Sequence, residues 1–161
     1  MISIVYENIA RLLHQASPQL NKKPLISCRK TIDKLKNSNY QDKNIKLSTV
    51  IFIAQHYNVN FVSLFIRNSS LDALFKTHYE PHDFLSNYIK NVKYILTIRR
   101  KTQCSLSSEG GIQPSTISNL LKGKTNDPYL STLSNIATQL DIDLYKLFLA
   151  EGDFSHDFRT L

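Results

Sequence analysis

Glycine and proline are scarce in this chain, with four and five residues among 161. Strict alternation of apolar and polar residues, the pattern of a half-buried β-strand, is also absent over any useful length. Apolar residues instead recur at steps of three and four, which is the period of an amphipathic helix. The sequence therefore predicts an all-α fold made of short helices and tight turns.

Long apolar runs are missing too. The runs present are a few residues long, as at 50–54, whereas a membrane span needs roughly 20. Residues 1–15 contain Glu7, Arg11 and His14, so they do not resemble a signal peptide. The only cysteines, Cys28 and Cys104, lack paired-ligand spacing and are interpreted as inert thiols. We expect a soluble cytoplasmic protein with no membrane partner.

Arrangements typical of enzymes are absent as well: there is no Ser/His/Asp or Cys/His order, phosphate-cradling loop or close carboxylate pair. The nearest approach to a metal site is a set of four potential ligands: His78, Glu80, His82 and Asp83. Pro81 disrupts the helical spacing that would align the two histidines. We therefore expect no enzymatic activity, no metal and no other cofactor.

Positive charge is plentiful, with a formal net charge of +7. Residues 1–80 hold 11 Lys and Arg against 5 Asp and Glu, whereas residues 81–161 hold 9 against 8. Such a balance suits a polyanionic partner but does not prove one.

The chain also repeats itself. Leu47-Ser48-Thr49-Val50 aligns with Leu130-Ser131-Thr132-Leu133, and the match continues to residue 65 at a constant offset of 83. Upstream, Thr31-Ile32 aligns with Thr116-Ile117 at an offset of 85. We predict two related helical units at 1–66 and 86–150, a connector at 67–85 with a short helix, and a tail at 151–161. The tail either folds onto a partner subunit or is loose.

In the second unit, the apolar period predicts a first helix through residues 85–96 and a fourth helix after Ser131, which is expected to be its N-cap. A last short helix is expected at 144–148. Between them, Thr102 is expected to cap a second helix, with Gln103 in its opening turn. Gly110-Gly111 permits a sharp helix end, and Pro114 suits the first turn of a third helix.

This segment resembles the helix-turn-helix of the Cro/repressor (XRE-like) family, in which Thr-Gln opens the second helix, Gly-Ile makes the turn and a Ser-Thr-Ile-Ser-like stretch lies in the recognition helix. Lys122-Gly123-Lys124 and the stretch 128–133 resemble the family's turn and Pro-x-Leu-x-Thr-Leu segment. The resemblance covers about 60 residues. It implies two tandem repressor-like (lambda-repressor-like) five-helix units, of which the first is degenerate.

The resemblance also implies which residues meet DNA. The positions implied to face base edges in the major groove are Gln113, Pro114, Ser115, Thr116 and Asn119. The positions implied to meet phosphates are Arg100, Lys101, Thr102, Gln103, Lys122, Lys124 and Asn126. The chain departs from the family at two places. Arg100 and Lys101 stand where the family usually has glycine and an apolar residue, and Pro114 stands where a base-contacting side chain is common.

In the first unit, Pro24 and the missing Gly-Ile turn leave no regular second helix. Four basic residues sit where a recognition helix would begin, which makes them a possible second DNA contact: Arg29, Lys30, Lys34 and Lys36. The other interpretation is a dimerisation or effector module with a solvated basic face.

The sequence thus predicts a sequence-specific regulator that binds double-stranded DNA, a repressor or dual regulator of a phage, mobile-element or toxin–antitoxin type operon. It is expected to bind as a homodimer or, if both units bind DNA, with one chain spanning two half-sites. The alternative is a protein-interaction module, an antitoxin or inhibitor that uses the fold against a protein partner. RNA is a weaker third partner because no aromatic stacking platform is evident.

Overall fold

The computed structural model describes residues 2–12, 44–67, 74–75, 77–108, 111–150 and 154. These residues form helices and turns, with no β-strand among them, which confirms the all-α prediction for that part of the chain. The chain divides into two compact units, Met1–Glu80 and Pro81–Leu161, and this division falls inside the predicted connector. None of the helices in the described ranges is long and apolar enough to cross a membrane.

The described part of the first unit contains two α-helices, α1 (Ile2–Arg11) and α2 (Leu47–Tyr57), and the 3₁₀ helix η1 (Val62–Phe65). Their apolar faces form one core, with Ile9, Ile53 and Leu64 fully buried. The stretch that replaces a regular second helix in this unit lies outside the described residues, as does the predicted basic third helix with Arg29, Lys30, Lys34 and Lys36.

The second unit contains four α-helices and one 3₁₀ helix: α3 (Phe84–Ile98), α4 (Ser105–Ser108), α5 (Pro114–Leu121), α6 (Leu130–Gln139) and η2 (Leu144–Phe148). The carboxylate of Asp83 caps α3 by accepting a hydrogen bond from the Ser86 N–H at 3.0 Å. The helices enclose a core that includes Tyr88, Ile117 and Leu133. The predicted helices at 85–96 and 144–148 are thereby confirmed.

Each unit contains the same pair of internal hydrogen bonds, made by a buried asparagine of its first helix. In the first unit, buried Asn8 donates to the carbonyls of Leu64 (3.0 Å) and Ile66 (3.2 Å). In the second, buried Asn91 donates to the carbonyls of Leu147 (3.1 Å) and Leu149 (2.9 Å). The donor and both acceptors in the first unit each lie 83 residues before their counterparts in the second. The described part of the repeat therefore shares a structural device, and its offset extends to the first helix.

Four helices end on a residue with left-handed backbone: Asn58, Arg100, Gly123 and Asp141. At each end two backbone hydrogen bonds close the turn; after α3, for example, the Arg100 N–H donates to Thr97 and the Lys101 N–H to Leu96. Asn58 and Asp141 are again 83 residues apart. The repeat thus preserves helix ends as well as the core.

Two details of the predicted helix starts differ. Ser131 is not the N-cap of α6: the helix begins at Leu130 and its N-cap is Tyr129, whose extended backbone lets its carbonyl accept from the N–H groups of Thr132 and Leu133. Ahead of α4, the backbone carbonyl of Thr102 accepts from Ser105, while no described hydrogen bond uses the Thr102 hydroxyl. Main-chain geometry, rather than a side-chain cap, therefore starts both helices.

The described connector residues up to Glu80 contact the first unit, and Phe154 of the tail contacts the second. In the connector, Leu74 is buried, and the side chain of Asn58 bonds to Nδ1 of His78 at 3.0 Å. The predicted connector helix, at Leu71, Leu74 and Phe75, is described only at Leu74 and Phe75, which are helical, and Leu71 lies outside the described residues. In the tail, the ring of Phe154 is buried edge-on to Tyr94 of α3, with centroids 6.1 Å apart.

Candidate nucleic-acid interface

Helix α5 positions most of the predicted base-contacting residues. Pro114 occupies its first turn, where a missing N–H costs no hydrogen bond. Ile117, Leu120 and Leu121 recur at steps of three and four and are buried. Their burial fixes the rotation of the helix, so that Ser115, Thr116 and Asn119 face solvent while Ser118 is half-buried. The apolar spacing of α5 therefore turns the predicted base-contacting side chains outward.

All twelve residues of the second unit that the sequence singled out for DNA are exposed. They fall into three groups: a neutral base-contact face (Gln113, Pro114, Ser115, Thr116, Asn119), a leading segment (Arg100, Lys101, Thr102, Gln103) and a trailing turn (Lys122, Lys124, Asn126). The base-contact face carries hydroxyls and amides but no charge. The two flanking groups carry four cations and no carboxylate.

The N-terminus of α5 has no side-chain cap. Gln113 is the N-cap residue, and its side chain makes no capping hydrogen bond, although its backbone carbonyl accepts from the Thr116 N–H at 2.9 Å. The positive end of the helix dipole is therefore open to solvent beside the neutral face. An anion placed there would be stabilised by the positive end of the dipole, although Pro114 has no N–H and those of Thr116 and Ile117 already donate to the Gln113 carbonyl.

In the trailing turn, Gly123 allows the chain to leave α5 sharply. Its φ of +70° lies in the left-handed region, where a side chain would be strained. The Gly123 N–H donates to Leu120 at 2.9 Å and the Lys124 N–H to Asn119 at 2.8 Å. These bonds hold Lys122 and Lys124 on either side of the glycine at the end of the base-contact face.

In the leading segment, an arginine adopts a backbone conformation that usually favours glycine. Arg100 has a φ of +51°, the left-handed conformation suited to glycine at the end of a helix. At the turn between α3 and α4, Arg100 thus adopts a backbone conformation that a glycine would adopt without strain. It places an exposed guanidinium, followed by exposed Lys101, in front of α4.

A surface cleft connects the trailing turn with α3. Its walls include three exposed lysines, Lys90 and Lys93 from α3 and Lys122 from the turn. Ser86, Thr125 and Asn126 add hydrogen-bonding side chains to the same cleft. The structure thus brings Lys122 and Asn126 together with two lysines of another helix. It does not bring the leading segment into this cleft.

The frame beneath the interface is rigidly bonded. The Tyr88 hydroxyl donates to the Leu133 carbonyl at 2.8 Å, and its ring lies 5.5 Å from that of Phe148. Burial raises the pKa of Tyr88 well above its ordinary value of 10.0. Asn87 also donates to the carbonyl of Phe148. Helix α3 is therefore tied to α6 and η2 by buried polar contacts.

Sequence reasoning missed four of these residues. Lys90 and Lys93 looked like ordinary solvated positions because periodicity does not show which loop packs beside a helix. Asn87 and Asn91 lay among the apolar residues of α3 without an evident role. For Asn91 a signal existed: extending the offset of 83 to the first helix aligns it with Asn8.

Other candidate positions have different surroundings. His82 lies edge-on to the ring of Phe84, with centroids 5.8 Å apart. Across the described ranges, no three His, Cys, Asp or Glu side chains are grouped so that they could hold a metal ion. Cys104 is an exposed free thiol, and Cys28 lies outside the described residues. None of these positions adds a ligand to the interface on α5.

Comparison with known proteins returns no relative. Neither a protein-family model, nor a curated protein, nor a solved structure matches the chain.

Proposed function

We propose that the second unit binds double-stranded DNA, with α5 entering the major groove as a recognition helix. One observation carries the proposal: α5 presents an exposed, uncharged face of amides and hydroxyls between two exposed basic segments. Amides and hydroxyls form hydrogen bonds with base edges, while lysine and arginine neutralise phosphates. The Cro/repressor-type resemblance of the same residues agrees with this arrangement.

The charge around α5 supports a polyanion over a protein target. From Arg99 to Asn126 the sequence holds five Lys and Arg and one carboxylate, Glu109. The open N-terminus of α5 favours anions as well. We infer that the protein is a transcriptional regulator, a repressor of a phage, mobile-element or toxin–antitoxin type operon. It would act as a homodimer on a pseudo-palindromic site.

Selection of bound duplexes from a random library tests this proposal. The full chain should enrich a defined motif at near-physiological salt. Gln113→Ala with Asn119→Ala should abolish or change the motif, because each bidentate base contact contributes about 1–3 kcal/mol of discrimination. Asn135→Ala is the matched control, since Asn135 is an exposed amide that belongs to α6 and not to α5. Failure of the unaltered chain to enrich any sequence would refute the proposal.

A second candidate function rests on the exposed apolar side chains of α3. Tyr94 is 46% exposed and Ile98 is 45% exposed, one turn apart on the same helix. Such a pair is the kind of surface that a protein partner covers. An antitoxin-like or inhibitor role would show as a partner that stays bound at high salt, whereas DNA binding weakens steeply as salt rises.

A further inference from the structure

We propose that Lys90 and Lys93 of α3 join Lys122 in a phosphate-binding cleft that holds the backbone of the DNA beside the groove entered by α5. This inference rests on the proposed function and deepens it, because it assigns a ligand to residues outside the helix-turn-helix. The ligand class is the phosphodiester of duplex DNA.

The first argument is that three lysines line the same cleft. Lys90 and Lys93 are one turn apart on α3, and Lys122 enters the same cleft from the end of α5. All three are exposed, and within the described part of the chain no hydrogen bond or ion pair is found for their ammonium groups. Three like charges in one cleft repel one another, and an anion relieves that repulsion.

The second argument is the chemistry of the remaining walls. Ser86, Thr125 and Asn126 supply hydroxyl and amide groups of the kind that bind phosphate oxygens. The single carboxylate in the cleft, Asp83, already accepts the Ser86 N–H as the cap of α3. The three lysines outnumber this one carboxylate, so the side chains that line the cleft keep a net positive charge.

The third argument is position. Leu121, Lys122 and Gly123 form both the end of α5 and one wall of the cleft. A duplex whose bases face α5 carries its backbone past the end of that helix, because base edges and phosphates lie only one groove wall apart. The occupant that these contacts favour is thus the phosphodiester chain of the same duplex, rather than an unrelated ligand.

The test measures the affinity of the full chain for its selected duplex over a range of salt concentrations. Each phosphate contact contributes about 0.9 to the slope of log K against log salt. Lys90→Ala with Lys93→Ala should therefore lower the slope by about 1.8 and weaken binding by on the order of tens of fold at about 0.1 M salt. The selected motif should not change, since phosphate contacts carry no sequence information.

Two matched variants sharpen the test. Lys90→Arg with Lys93→Arg keeps the charge and should keep the slope, whereas Lys146→Ala removes a cation from η2 and should leave the slope unchanged. Asp83→Asn preserves the cap of α3 but removes the carboxylate, so it should tighten duplex binding. An alanine pair with the slope of the unaltered chain would overturn the inference while leaving the proposed function intact.

A further arm separates the backbone from a small anion. The full chain is titrated with inorganic phosphate alone and followed by amide NMR. Weak, unsaturated shifts at residues 86–93 are expected, because a single free phosphate lacks the other contacts of a duplex. Saturable binding of inorganic phosphate, combined with an unchanged DNA slope, would assign the cleft to a small anion and contradict the proposal. Absence of any duplex binding by the unaltered chain would instead refute the proposed function.

Discussion

Single residues determine how the second unit is held together, and Asn91 illustrates this best. Its amide donates to two carbonyls of the η2 region and is only 3% exposed. Asn91→Ala would leave both carbonyls without that donor. We expect a loss of about 1–3 kcal/mol in the free energy of unfolding, measured by urea denaturation and circular dichroism. Asn135→Ala, on an exposed helical position, should change it by less than about 0.5 kcal/mol.

Arg100 is a second residue with a testable effect, because its left-handed backbone conformation is strained for a residue other than glycine. It holds a φ of +51° that glycine adopts without strain. Arg100→Gly should therefore raise the thermal stability by roughly 0.5–1 kcal/mol even though it removes a cation. Lys101→Gly is the control, because Lys101 has no left-handed backbone and glycine there only loosens the chain. A destabilised Arg100→Gly protein would show that the arginine side chain contributes more than its backbone strain costs.

The buried hydroxyl of Tyr88 gives a pH dependence. Because burial raises its pKa in the folded state, the unfolded chain loses this proton first as pH increases. The contribution of the protonated Tyr88 to the free energy of unfolding is therefore fully present below pH 10.0 and is lost as pH rises above that value. In a spectrophotometric titration, the native Tyr88→Phe variant should show as many ionising tyrosines as the unaltered chain. Once both proteins are unfolded, the variant should show one fewer. Ionisation of Tyr88 near pH 10.0 in the native protein would contradict this expectation.

At the scale of elements, substitutions at the N-cap of α5 should affect helix stability and duplex affinity differently. Gln113 provides no capping hydrogen bond, so Gln113→Asp and Gln113→Ser should each stabilise the helix by about 1 kcal/mol. The aspartate should weaken duplex binding more than the serine does, because it adds a negative charge beside the phosphates. Thermal denaturation and fluorescence anisotropy measure the two effects. Equal duplex affinities for the two variants would argue against DNA at this helix end.

The helices themselves were the predictable part of the structure. Pro114 and the spacing of Ile117, Leu120 and Leu121 define the start and buried face of α5 in the sequence alone, because both depend on local chemistry. The start of α6 was less accessible: serine is a good N-cap, yet the chain turns helical one residue before Ser131, at buried Leu130. Burial of an apolar side chain in the first turn outweighed the capping preference.

The cleft could not be predicted, for a different reason. Lys90 and Lys93 belong to α3, and Lys122 follows α5, more than 25 residues later in the sequence. Their proximity depends on how α3 packs against α5, which no local pattern encodes. Exposed lysines on a helix are most often solvated, so only the tertiary arrangement distinguishes these two from the others.

At the scale of the whole molecule, the repeat extends to hydrogen bonds that the sequence alignment did not contain. Because the contacts described for α3, α6 and η2 are internal to Pro81–Leu161, we expect this segment to fold without the first unit. Expressed alone, residues 81–161 should give a helical circular dichroism spectrum and a cooperative thermal transition. A broad, non-cooperative transition would show that the second unit needs the first.

The central claim is that α5 and its flanking turn contact duplex DNA, and amide NMR mapping with the full chain tests it most directly. On addition of the selected duplex, the largest shifts should fall at residues 113–119 and 122–126, with residues 144–148 of η2 little changed. A duplex that binds while leaving α5 unperturbed, or a chain that binds no duplex, would contradict the account.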